Sequence, residues 1–255
     1  MILNYKETGQ GPAVVILHGL FGSLDNWATM AKSLGNSFHV ITMDLRNHGN
    51  SLHSDDWNYG LMANDVKETL TTLKLSKVFM AGHSMGGKAA MEFAARFPEC
   101  IEKMMVIDIS PRYYAPHHQS ILNALFSLDL EQIQTRKEAE EKLSQTISDQ
   151  GTRQFLLKNL YWKEAGKLAW KFNLKTIAEK IEIVGEKTPE GNIRIQKPIL
   201  FIKGSKSGYI NSTDEKNILE EFPQASVITI EGAGHWVHAE KSAELLSCFV
   251  DFFKP

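Results

Sequence analysis

Six short runs of the chain are nearly continuous in apolar residues: AVVILHG (13–19), FHVITMD (38–44), KVFMAG (77–82), KMMVIDIS (103–110), PILFIKG (198–204) and SVITIEG (226–232). Unbroken apolar runs of this length suit strands covered on both faces, as in a parallel sheet. Between them, NWATMAKSL (26–34), the stretch from Leu61 to Leu75 and GGKAAMEFAARF (86–97) repeat apolar residues at i, i+3 and i+4, the spacing of an amphipathic helix. Strand and helix in alternation predict an α/β fold built on a mostly parallel, doubly wound sheet.

The alternation stops at Ser110-Pro111 and resumes at Pro198. From about Tyr113 to Arg194 the pattern shows no strand, only amphipathic stretches such as NALFSLDLEQI (123–133) and RQFLLKNLYW (153–162). Roughly 80 residues are too many for a plain crossover between neighbouring strands. The expected organisation is a core from 1–111 and 196–255 with a helical cap, 112–195, inserted between two core strands.

The third strand ends in Gly82-His83-Ser84-Met85-Gly86 and runs straight into a helical pattern. G-x-S-x-G between strand and helix marks a nucleophile elbow, a strained turn that lifts a serine hydroxyl above the sheet. Glycines flank Ser84 because side chains there would collide with the neighbouring strand and helix. The helix start places backbone N–H groups and partial positive charge beside the nucleophile.

A serine nucleophile needs an oxyanion hole and a base. LHGLFGS (17–23) follows an early strand, so the amides of Leu20 and Met85 are the expected donors, with Phe21 as the neighbouring possibility and a lining residue of the acyl site. His18 is read as a structural pin for that loop. The base is expected at His235, after Gly232-Ala233-Gly234 and the last strand, with Trp236 beside it as a second substrate contact. His238 is read as a packing or helix-start residue.

Bulk properties narrow the partners. A net charge of −2 with no basic cluster gives no footing for nucleic acid or an anionic membrane. Cys100 and Cys248, far apart, make neither a metal knuckle nor a disulfide framework. No signal peptide and no apolar run of about 20 residues is apparent, so a soluble, cytoplasmic protein without membrane insertion is expected. The chemistry calls for no metal and no organic cofactor.

HGLFGSLDNW (18–27), DLRNHGNS (44–51), GHSMGGKAAM (82–91) and GAGHWVHAEK (232–241) together resemble the α/β-hydrolase superfamily over nearly the whole chain, and most resemble the bacterial YbfF-type esterases. The resemblance implies a Ser–Asp–His order and hydrolysis of carboxylic esters or, with the same machinery, acyl thioesters. Much of the superfamily carries its acid on the third residue past the strand 198–204, where this chain has Ser207. Asp214 is one replacement, but it precedes EKNILEEF and reads as part of a helix start. Asp44 reads as structural, bonding the turn 46–49. Asp108 is the stronger candidate, because a carboxylate at the end of an apolar strand is costly unless paired and a histidine would pair it. The YbfF-type esterases draw their acid from this position, which also supports Asp108. A non-catalytic ligand-binding protein is the competing class, with the missing acid after Gly204 as its support. Five cap cations, Arg112, Arg153, Lys158, Lys163 and Lys171, could meet an anionic substrate or form a solvated face.

Overall fold

The computed structural model describes residues 1–191 and 194–254. Seven strands form one sheet: β1 Tyr5–Thr8, β2 Ala13–Leu17, β3 His39–Met43, β4 Val78–His83, β5 Ile101–Ile107, β8 Ile199–Gly204 and β9 Ala225–Ile230. Their order is β1-β3-β2-β4-β5-β8-β9, with every pair parallel except β1 with β3. The doubly wound, mostly parallel sheet expected from the apolar runs is therefore present. Two departures concern its edges. β1 (YKET) has no apolar run because it is a half-exposed edge strand. At the other edge β9 is apolar in sequence yet mostly uncovered, and Ile228 remains exposed.

Helices cover both faces. α1 (Ala28–Leu34) and α10 (Ser242–Phe253) pack on one, where Trp27, Met30, Phe249 and Phe253 meet Val14, Ile16 and Ile202. On the other lie α2 (Tyr59–Thr72), α3 (Met85–Arg96) and α8 (Ser212–Glu221). Asn58 caps α2 by accepting from the Leu61 amide, which fixes where the Leu61–Leu75 pattern begins to coil. A four-residue helix, α9 (Val237–Glu240), precedes α10 and is separated from it at Lys241.

The segment between β5 and β8 carries α4 (Gln119–Phe126), α5 (Arg136–Ser144), α6 (Gln150–Leu157) and α7 (Leu174–Glu179). It is not purely helical: β6 (Leu160–Glu164) and β7 (Lys167–Trp170) form an antiparallel hairpin, with Leu160 opposite Trp170. The helical reading of RQFLLKNLYW therefore fails after Leu157. Asn159, buried there, donates from Nδ2 to the Phe21 carbonyl (2.7 Å), and its own carbonyl accepts from the Lys171 amide (2.8 Å). Those tertiary bonds and the left-handed Gly166 turn the chain back on itself. Leu122, Leu125, Leu156, Leu160, Phe172 and Ile177 join one continuous apolar cluster with the sheet face, so the inserted segment shares its core with the body beneath.

The neck of this segment is tied to the elbow helix by a buried lysine. Lys88, on the first turns of α3, is 0% exposed, and its Nζ donates to the carbonyls of Arg112 (2.8 Å), Gly185 (3.4 Å) and Glu186. One side chain thus holds both the outgoing and the returning strand of the neck. Burial first, then the Arg112 guanidinium, lowers its pKa to about 7. In Lys88→Met the carbonyls of Arg112 and Glu186 lose this donor while that of Gly185 keeps the Tyr114 amide, at a cost of about 2 kcal/mol. We expect a lower urea midpoint and faster tryptic cleavage at Arg112 and Lys187, whereas an unchanged digestion pattern would show the neck is held by other contacts.

Candidate active site

Ser84 sits between β4 and α3 with φ 53° and ψ −121°, a strained conformation for a residue with a side chain. Its amide donates to the Ile107 carbonyl (3.0 Å), stitching the turn to β5. A Cβ on Gly86 would lie 2.5 Å from the carbonyl oxygens of Leu17 and His18, so only glycine lets the first turn of α3 press against the end of β2. That contact brings Met85 beside the loop that carries Leu20.

Asp108 follows β5 immediately, one strand across from the elbow. It is 0% exposed and adopts φ 52°. Three donors satisfy its carboxylate: the Gly204 amide on Oδ1 (3.0 Å), and on Oδ2 the Ser207 hydroxyl (2.5 Å) and His235 Nδ1 (2.7 Å). His235 arrives on the loop after β9, which must cross the end of β8 to reach Asp108. A Cβ on Gly204 would meet the carbonyl oxygens of Gly234 and Ala233 at 2.4 and 2.5 Å, so that crossing also depends on glycine. Tyr209 stacks on the imidazole at 4.0 Å between ring centres. With Nδ1 held by Asp108, the imidazole presents Nε2, and among the described residues neither this nitrogen nor Ser84 Oγ has a hydrogen-bond partner. Both residues line the same cleft.

The other acids are engaged elsewhere. Asp214 is the third residue of a capping box with Asn211 as the N-cap, and its Oδ1 accepts from Arg112 Nε (2.8 Å). Asp44 accepts from the amides of Leu24 (2.7 Å) and Asn50 (2.9 Å) and from Asn4 Nδ2 (2.7 Å). Its role is structural, though its turn contact is to Asn50 rather than within 46–49.

Two neutral histidines shape the Leu20 loop. His18 Nε2 accepts from the Leu45 amide (3.0 Å), which leaves its proton on Nδ1 to donate to the Gly19 carbonyl (2.8 Å). His48 Nε2 accepts from the Phe21 amide (3.2 Å) and Nδ1 donates to the Arg46 carbonyl (3.0 Å). The Phe21 amide is therefore taken, while the amides of Leu20 and Met85 donate to no group among the described residues. That difference separates Leu20 from Phe21 as a candidate oxyanion donor. Burial pushes His18 down to about 4 and His48, also facing His18, to about 3. A proton on either Nε2 would set N–H against N–H.

Ser84 and His235 open onto one cleft. Phe21 and Trp236 both line it, Phe21 against Phe172 (5.1 Å) and Trp236 against Phe155 (5.2 Å). His238 stacks on Trp27 at 4.8 Å, a packing role, and burial lowers its pKa to about 4. None of the five cap cations lines the cleft. Arg112 pairs with Asp214, Arg153 with Glu140 and Lys171 with Asp25. No group of three or more His, Cys, Asp or Glu among the described residues could hold a metal. No helix among them is long and apolar enough to cross a membrane.

Two contributors leave no signal in the sequence: Tyr209 and His118, which reach the cleft, sit in segments with no motif. Ser207 stands out in the sequence only as a position without an acid; its bond to Asp108 needs the fold.

Because His18 and His48 stay neutral when folded but charge near 6.5 when unfolded, the unfolded chain binds more protons below pH 6.5. Their contribution is complete above that pH and is lost as pH falls towards about 4 and 3, at up to about 1.4 kcal/mol per pH unit for each group. The urea midpoint should fall on acidification through this window. His48→Gln should lower it at neutral pH and flatten its acid slope.

A family model described as alpha/beta hydrolase fold matches residues 12–242. Esterase YbfF of Escherichia coli is 39% identical over 236 residues, covering 91% of this chain and 89% of that protein. The sn-1-specific diacylglycerol lipase ABHD11 of Xenopus laevis is 38% identical, covering 97% and 81% respectively. Among solved structures, a marine microorganism esterase superimposes with a TM-score of 0.96 at 40% identity, covering 99% of both chains.

Proposed function

The chain belongs to the α/β-hydrolase family and acts as an ester hydrolase, and we propose that it cleaves carboxylic esters through a Ser84–His235–Asp108 triad and an acyl-enzyme. Ser84 Oγ attacks the acyl carbonyl as His235 Nε2 takes its proton. Asp108 holds the imidazole with Nδ1 protonated and stabilises the imidazolium that forms. The amides of Leu20 and Met85 receive the oxyanion, and His235 returns the proton to the departing alkoxide. Water then repeats the sequence on the acyl-enzyme.

The observation that carries this reading is the 2.7 Å contact of His235 Nδ1 with a fully buried carboxylate, which leaves Nε2 unpartnered in the cleft that Ser84 shares. It also weighs against a non-catalytic protein, since Asp108 offers an acid where the turn after Gly204 has none. Acyl thioesters would follow the same steps. The absence of every cap cation from the cleft lining favours esters over coenzyme A thioesters, whose phosphates call for positive charge.

A fluorophosphonate probe should label the wild type and not Ser84→Ala, and an unlabelled, folded wild type would sink the proposal. Asp108→Asn should lower kcat on p-nitrophenyl butyrate by about 10⁴. Ser207→Ala, which removes one bond to the same carboxylate, should cost about tenfold. Asp214→Asn should lower the melting temperature through Arg112 while turnover stays near wild type; the reverse ranking of Asp108 and Asp214 would move the acid. Acyl-CoA of matching chain length should be cleaved less efficiently than the p-nitrophenyl ester.

A further inference from the structure

Two hollows meet at Ser84. The larger, already described, has His235 in its wall; the smaller and much narrower one reaches Ser84 and Met85 but not His235. In acyl transfer the leaving oxygen must lie within hydrogen-bond reach of the imidazole that protonates it. The carbonyl oxygen must lie at the amides of Leu20 and Met85. Only the third substituent on the reacting carbon, the acyl chain, can point away from His235. We infer, resting on the function proposed above, that the smaller hollow is the acyl pocket, that it takes a short aliphatic chain, and that Ile181 and Val184 set the chain length.

The lining of the hollow supports an aliphatic occupant. Ile109, Pro116, Ile181 and Val184 line it, with His117 and His118 among its polar groups and, among the described residues, no Asp, Glu, Lys or Arg. The wall formed by Val184 and Gly185 is fixed. The Val184 carbonyl accepts from the Tyr59 hydroxyl (2.8 Å), and the Gly185 carbonyl accepts from the Tyr114 amide (2.8 Å) and from Lys88. A Cβ on Gly185 would stand 1.9 Å from the Tyr114 carbonyl oxygen, so the two neck strands already touch. A longer chain would have to displace backbone anchored by buried donors. The larger hollow, walled by Trp27, Phe155 and Trp236 with Asn26 and Thr152 as polar groups, suits a bulkier alcohol. The substrate class is an ester of a short aliphatic acid with a larger alcohol.

The test holds the leaving group constant and varies the acyl chain: kcat/KM for p-nitrophenyl acetate, butyrate, octanoate and palmitate. The wild type should peak at butyrate. Ile181→Ala and Val184→Ala should each raise the octanoate-to-butyrate ratio by about tenfold, and Val184→Phe should move preference towards acetate. Phe155→Ala, in the larger hollow, should leave these ratios unmoved. Opposite shifts from enlarging and filling one position cannot come from general loosening, and fluorophosphonate labelling reports that each variant is folded. A palmitate optimum in the wild type, or a chain profile that moves with Phe155→Ala and not with Ile181→Ala and Val184→Ala, overturns the pocket assignment while leaving the esterase reading intact. A wild type that cleaves none of the four esters overturns both.

Discussion

A carboxylate with no exposure to solvent must be satisfied where it stands, and much of the site is arranged around that demand at Asp108. Its two oxygens take three donors from two further segments: Gly204 at the end of β8 and Ser207 just after it, and His235 beyond β9. Each donor depends on the parallel register that ends β5, β8 and β9 at one edge. The His235 loop lies close enough only because residue 204 has no side chain. The imidazole is then fixed from one side by Asp108 and from its face by Tyr209. A proposed base oriented this way needs no further partner until a substrate arrives.

The opposite half of the site is governed by neutral, not charged, contacts. His18 and His48 each accept from a backbone amide and donate to a backbone carbonyl, so the loop from Gly19 to Phe21 is held by groups that must remain unprotonated. Among the described residues the Leu20 amide, like that of Met85 at the start of α3, then donates to no group. Preorganised donors of that kind need no rearrangement when charge develops. Lys88 extends the arrangement from the elbow helix to the neck of the inserted segment. The helix that follows Ser84 and the wall of the smaller hollow are consequently one mechanical unit.

The inserted segment is where sequence patterns gave least purchase. Its helices do appear, but α4 runs from Gln119 to Phe126, so only the first four residues of the stretch 123–133 are helical. The start of β6 carries a helical pattern because Phe155, Leu156 and Leu160 keep helical spacing across the break. The bonds of Asn159 to Phe21 and Lys171 overrule that spacing, and they join residues distant in sequence. Edge strands escaped for a related cause: β1 buries too little apolar surface to leave a pattern.

The sequence by itself determined the sheet, the elbow at Ser84, the glycine-rich loops on either side and the candidacy of Asp108 and His235. These follow from local rules, since buried parallel strands must be apolar and a strained turn must be flanked by glycine. It also identified Ser207 as the position without an acid. Only the tertiary structure decided what that serine does, which is to donate its hydroxyl to Asp108. Likewise, only the fold decided that the Phe21 amide is occupied, that the five cap cations do not line the cleft, and that two hollows meet at Ser84. Hydrogen bonds between segments some hundred residues apart leave no periodicity in either segment, so chain packing alone reveals them.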